Sequence, residues 1–269
     1  MHVPWAVVLL LMLLVAKAPA WAAEHPSLAK ARSLYNAADY DGAIVAAMVA
    51  RTDPASADVS TLVAARAYLE RYRVRLDPGD LEAARQALGA IRAAALSPRD
   101  HLDLFVGLGQ ALYLGETFGA AAELFDTALS QSSLLGERDR LLLLDWWATA
   151  VERDAQQVAA DRRTPLLERV IDRMEHELHL DPGNTTANYW LAVSARGSGD
   201  VERAWRAAIA GWIRAMLRPE SSAALRADLD RLVTEALIPE RARTRPAREQ
   251  QEAQASLRAE WEAVKSQWQ

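Results

Sequence analysis

Cysteine is absent from the 269 residues. That excludes disulfides, thiolate metal sites and a lipid-modified amino-terminal cysteine, so no lipid anchor is expected. Glycine and proline are sparse, at 12 and 11 residues, and they fall mostly between periodic segments, where they punctuate helices. The glycine-dependent chemistries are missing as well. Gly107-Leu108-Gly109 has no strand before it and no third glycine after it, and neither a phosphate loop ending in Lys-Ser/Thr nor a serine nucleophile between glycines occurs. There is no excess of positive charge: a formal charge of -5 and a pI near 5.6 leave no basic field to hold nucleic acid.

What is present is half apolar and a quarter charged, rich in alanine, leucine, arginine and glutamate, the residues that favour helix. Strand signals are nearly absent, and the fold class is all-α. The amino terminus carries an apolar core from about Ala6 to Val15, then small residues up to Ala20-Trp21-Ala22. This pattern predicts a secretory signal over 1–23, cleaved after Ala22 or Ala23, with a core too short for a comfortable membrane span. No Lys or Arg precedes the core and Lys17 follows it, so an uncleaved amino-terminal anchor stays open. The expected destination is export, to the periplasm or beyond.

One stretch organises the rest. From Asp100 to Gln131 the residues Phe105, Leu108-Gly109 and Leu112 are followed by Ala121, Phe125 and Ala128 at fixed offsets. Antiparallel helices approach closely only where side chains are small, so Gly109 and Ala121 are expected to mark a crossing with Phe105, Leu108, Leu112 and Phe125 filling the volume around it. These offsets resemble the tetratricopeptide repeat family, whose unit is a helix hairpin of this pattern. The resemblance implies a right-handed α-solenoid of stacked antiparallel hairpins over 24–238, an Arg-bearing linker over 239–246, and a carboxy-terminal amphipathic capping helix over 247–269.

Related patterns recur along the chain. A first hairpin is expected between Ser27 and Pro54, turning at Asp39-Tyr40-Asp41. A looser one follows between Ala57 and Pro98, broken at Asp77-Pro78-Gly79-Asp80, where Asp80 is placed to cap the second helix. A helix of about six turns is expected from Glu137, and its partner begins at Thr164-Pro165 with Thr164 as cap. After Asp181-Pro182-Gly183-Asn184 a second good hairpin match contains Leu191-Ala192, Ala204 and Ala208, with Gly199 suited to a left-handed turn and Asp200 to the next cap. Ser221 or Ser222 then caps a helix to about Leu237. The last helix carries Ala253, Leu257, Trp261, Val264 and Trp268 on one stripe, which is expected to cap the array, the alternative being that Trp261 and Trp268 meet a membrane surface or, in weak self-association, a second copy.

No catalytic or metal centre is expected. His176 and His179 are three apart but lack a third ligand, and solvated helix surface is the simpler account. No cofactor is implied, and the chain reads as a non-enzyme. The resemblance implies a concave face lined by the first helix of each hairpin, which would place Tyr35, Asp103, Gln110 and Tyr113 along it, and Tyr189 and Arg196 by the same offsets. Trp146 and Trp147, about 100° apart on their helix, are expected to divide, one inward and one toward the groove. The expected function is a protein–protein scaffold or adaptor in the cell envelope that holds a partner segment in this groove. The alternative is a small-ligand-binding accessory of a transport or secretion system, with its pocket at Trp146 and Trp147. An enzyme acting on cell-wall polymer ranks third.

Overall fold

A computed structural model describes residues 25–268; the expected leader, 1–23, lies outside them. Among the described residues thirteen α-helices follow one another: α1 (Pro26–Asn36), α2 (Tyr40–Ala50), α3 (Ala57–Arg75), α4 (Pro78–Gly89), α5 (Pro98–Leu114), α6 (Phe118–Ser130) and α7 (Glu137–Gln157). Then come α8 (Ala160–Leu180), α9 (Thr185–Gly197), α10 (Val201–Arg214), α11 (Pro219–Leu232), α12 (Ile238–Arg243) and α13 (Gln250–Gln267). No strand occurs among the described residues, and no helix there is long and apolar enough to cross a membrane. From α1 to α11 each helix packs on its chain neighbour, α12 packs on α13, and alternate helices also touch: α1 on α3, α3 on α5, α7 on α9 and α9 on α11.

Three of the turns share one backbone geometry. At the ends of α1, α5 and α9 a residue enters the left-handed region: Ala38 at φ 60°, Glu116 at 61° and Gly199 at 91°. The next residue's N–H reaches back five positions, Asp39 to Leu34 O, Thr117 to Leu112 O and Asp200 to Ala195 O, each at 2.9 to 3.0 Å. The left-handed residue's own N–H reaches back three, to Tyr35, Tyr113 and Arg196. These bonds consume carbonyls that a helix end otherwise leaves unpaired. The same residue that closes one helix opens the next: Asp39 accepts from Gly42 N at 2.9 Å and Asp200 from Arg203 N at 2.8 Å.

Close contact between helices falls where side chains are small. A Cβ built on Gly109 would lie 2.5 Å from Cε1 of Phe125, itself fully buried, and one on Gly211 would lie 3.0 Å from Leu229 Cδ1. The largest apolar cluster runs from Leu102 on α5 to Trp261 on α13. Smaller clusters hold α1 to α5 together. Trp261 is fully buried, its ring centroid 5.3 Å from that of Trp212 and 6.3 Å from that of Trp205. Its Nε1 donates to Asp230 Oδ1 at 2.7 Å, and the Trp212 Nε1 donates to the Trp268 carbonyl at 3.1 Å. The helix α13 therefore lies on α10 to α12, and Trp261 is not available to a second copy.

Several boundaries differ from the sequence expectation. Asp77, not Asp80, caps α4, accepting from Gly79 N at 2.9 Å. Asp80 is buried and bound to the Arg71 guanidinium instead. The helix α8 starts at Ala160, so Pro165 sits inside it, and α11 starts at Pro219 ahead of both serines. The Arg-bearing stretch over 239–246 is helical to Arg243, because a five-residue π-turn over Val233–Leu237 carries α11 into α12. That wider turn takes up the backbone change where Pro239 has no N–H to give.

Candidate functional site

The helices α1, α3, α5 and α7 contribute one face each to a groove. Its floor is laced by ion pairs between these helices: Arg32 Nη2 of α1 to Asp100 Oδ1 of α5 at 2.9 Å, Arg66 Nη1 of α3 to Asp103 Oδ2 of α5 at 3.2 Å and Arg99 Nη2 of α5 to Asp139 Oδ2 of α7 at 3.3 Å. A cavity of about 480 Å³ opens here, and Tyr35, Asp103, Gln110, Tyr113 and Trp146 all line it. Five of the residues expected on the concave face are thus together.

Aromatic contacts close one end of this cavity. The Tyr113 ring meets Trp146 edge-on at 5.0 Å and 90°. The Arg73 guanidinium, bonded to Glu70 at 2.7 Å, lies 5.1 Å over the Trp146 ring, so α3 and α7 touch across the groove. Trp147 points the other way and is fully buried, with Arg173 4.6 Å from its ring centroid. The pocket expected at both tryptophans is therefore built at Trp146 alone.

Electrostatics hold Arg66 charged at the centre. Burial lowers its pKa, but Tyr35, Asp103 and Glu70 outweigh that and the net direction is upward. Its guanidinium lies 5.0 Å over the Tyr35 ring, and burial pushes the Tyr35 phenol above its ordinary value. Among the described residues two buried polar atoms here have no hydrogen-bond partner, Arg66 Nε and Gln110 Oε1.

The groove continues in both directions. A cavity of about 680 Å³ shares Tyr35, Arg66 and Asp103 and extends to Arg32 on α1 and Tyr40 at the start of α2. Another of about 430 Å³ lies beyond α7, reaching Thr185 and Thr186 on α9 and Glu220 on α11. Leu142 lines all three and is 53% exposed.

Tyr189 and Arg196 do not join the other five. Arg196 is tied to Glu240 of α12 at 2.6 Å and borders a separate cavity of about 240 Å³. Tyr189 is half-buried, 5.7 Å from the Trp190 ring, and burial raises its phenol pKa. The offsets place these residues correctly on α9, and α9 packs against α11; over α1 to α5 the corresponding positions line an open cavity. Arg66, Arg73 and Leu142 are the residues that sequence reasoning missed. Arg66 and Arg73 sit on the looser hairpin, and Leu142 lies in a Leu141–Leu144 run whose exposed member has no local mark.

Among the described residues no group of three or more His, Asp or Glu side chains is placed to hold a metal ion, and His176 and His179 are exposed. Comparison with family models, with curated proteins and with solved structures finds no match to this chain.

Proposed function

We propose that this chain is a non-enzymatic binding scaffold, a right-handed tetratricopeptide-like solenoid that receives a segment of a partner protein in its inner groove after export to the cell envelope. The observation that carries the reading is the continuity of three cavities across the exposed Leu142, on the face where Tyr35, Asp103, Gln110, Tyr113 and Trp146 meet. The repeated turn geometry after α1, α5 and α9 supports the repeat architecture. A preformed concave surface of this kind saves a partner the cost of ordering two sides at once.

The reading is tested by a photo-crosslinking residue placed at 142 and, for comparison, at the exposed His176 on α8. A partner adduct is expected from 142 and not from 176 in intact cells. The exposed substitution Leu142→Arg should abolish capture with an unchanged thermal melt. Capture that survives Leu142→Arg ends the groove reading. Export is checked separately, by the amino-terminal residue of the purified protein.

One observation favours the small-ligand alternative: the unpartnered Gln110 carbonyl lies in a cavity whose volume suits a compact molecule. Ligand-dependent fluorescence of Trp146, lost in Trp146→Phe, is its signature.

A further inference from the structure

We propose that the outer face of α2 pairs with a second copy of this chain, the two α2 helices lying antiparallel about a two-fold axis at Val45. This goes beyond the groove reading and does not rest on it.

The face is apolar and open. Val45, Met48 and Val49 stand three and four residues apart, on one side of the helix, and are exposed by 65%, 42% and 53%. Beside them a cavity of about 620 Å³ lies between α1 and α2, lined by Lys30 and Leu34 of α1 and by Gly42, Val45, Ala46 and Val49 of α2. A ridge and a furrow on one face are what a second helix packs into, at about 8–10 Å between axes. A contiguous apolar face rimmed by polar side chains marks an interaction surface.

Charge says what lies on it. Asp39 and Asp41 stand at the start of α2 and Arg51 directly after its end. Asp41 is held by Arg71 and Arg75 of its own chain. Asp39 accepts only from the Gly42 N–H, and Lys30 and Arg51, both exposed, engage no carboxylate among the described residues. A helix that begins acidic and ends basic is the complement of its own antiparallel copy and not of a parallel one. With Val45 on the axis, Asp39 and Arg51 are each six residues away on opposite sides, about 9 Å at 1.5 Å per residue. Each Arg51 therefore comes level with the partner's Asp39, twice in the pair, and each Met48 comes over the partner's Gly42, the smallest residue of the furrow. With Lys30 and Arg51 against Asp39 and Asp41 the face is electrically balanced, which suits its own copy better than an anionic membrane, where basic residues are favoured.

The pairing also closes. At the other end α13 lies over α10 to α12 with Trp261 buried, so no matching seat is offered there, and a two-fold contact uses the α2 face of both copies.

The test uses the purified full chain, whose lack of cysteine makes an introduced thiol unique. Val45→Cys on the axis brings two thiols within the about 7 Å between Cα atoms that a disulfide spans, and mild oxidation should give a covalent dimer in high yield. Leu180→Cys, at an exposed position on α8, sets the background from chance collision. Sedimentation equilibrium should show a concentration-dependent dimer, and the α2 amides should exchange more slowly as concentration rises. Arg51→Glu should weaken the dimer about tenfold at low salt and less as salt rises. Asp39→Lys should do the same, and an equimolar mixture of the two variants should dimerise again, because both cross-axis contacts are restored in the swapped sense. Asp39→Asn keeps a capping oxygen for α2 and should weaken the dimer with unchanged circular dichroism, which separates charge from folding. A monomer at every concentration, a Val45→Cys yield no higher than that of Leu180→Cys, or a mixture no better than either variant alone overturns the proposal. So does a monomer whose Val45→Cys thiol is protected, by the chain's own amino-terminal residues or by added anionic vesicles.

Discussion

Gly109 has no room for a methyl group: the Phe125 ring it faces is fully buried and cannot move away. Gly109→Ala should cost about 1–3 kcal/mol, as overpacking of a filled core does, seen as a lower urea midpoint. Asp230 offers a second check at a single carboxyl. Burial pushes its pKa up, but hydrogen bonds from Lys265 and Trp261 outweigh burial and hold it below the ordinary value. A depressed carboxyl contributes stability above the unfolded pKa, about 3.9, and loses it as pH falls through the folded value. The dock of α13 should therefore loosen in acid below about pH 4, shown by a shift in tryptophan emission. Asp230→Asn, which removes the titrating group, should flatten that acid limb.

Among the elements, the shared turns make the plainest prediction. Ala38 and Glu116 hold the left-handed conformation that Gly199 holds without strain. Ala38→Gly and Glu116→Gly should each raise stability by up to about 1 kcal/mol, and Gly199→Ala should lower it by about 1–2 kcal/mol, measured by thermal melts. These turns also show what the sequence could and could not reveal. Gly199-Asp200 and Asp181 to Asn184 were legible because the residue types themselves dictate the backbone there. Ala38 and Glu116 were not, since neither residue prefers the conformation that packing imposes. The cap at Asp77 was misplaced for a related reason: Asp80 is drawn away by Arg71, a partner on another helix that no local pattern reveals. Likewise the offsets placed Tyr113 and Arg196 at equivalent turn positions, yet only a view of α12 discloses that Glu240 claims Arg196.

Across the whole molecule the apolar interior is divided. A large cluster spans α5 to α13, and three smaller ones serve α1 to α5. Local contacts of this kind make stability roughly a sum of neighbouring terms, so the ends open before the middle. Hydrogen exchange should find the amides of α1 and α2 exchanging faster than those of α7 to α10. Trp261→Ala should cost about 3–5 kcal/mol, and speed exchange in α10 and α11 while leaving α1 to α3 as before.

The ends of the array formed by the first and the last helices among the described residues are unlike. Trp261 seals one beneath a polar-backed helix, while α2 presents Val45, Met48 and Val49 to solvent, exposed by 65%, 42% and 53%. Lengthening such an array by protein engineering is thus a one-directional craft: a designed hairpin laid on α2 meets a greasy landing in Val45, Met48 and Val49, whereas a graft behind Gln267 must first evict the resident lid.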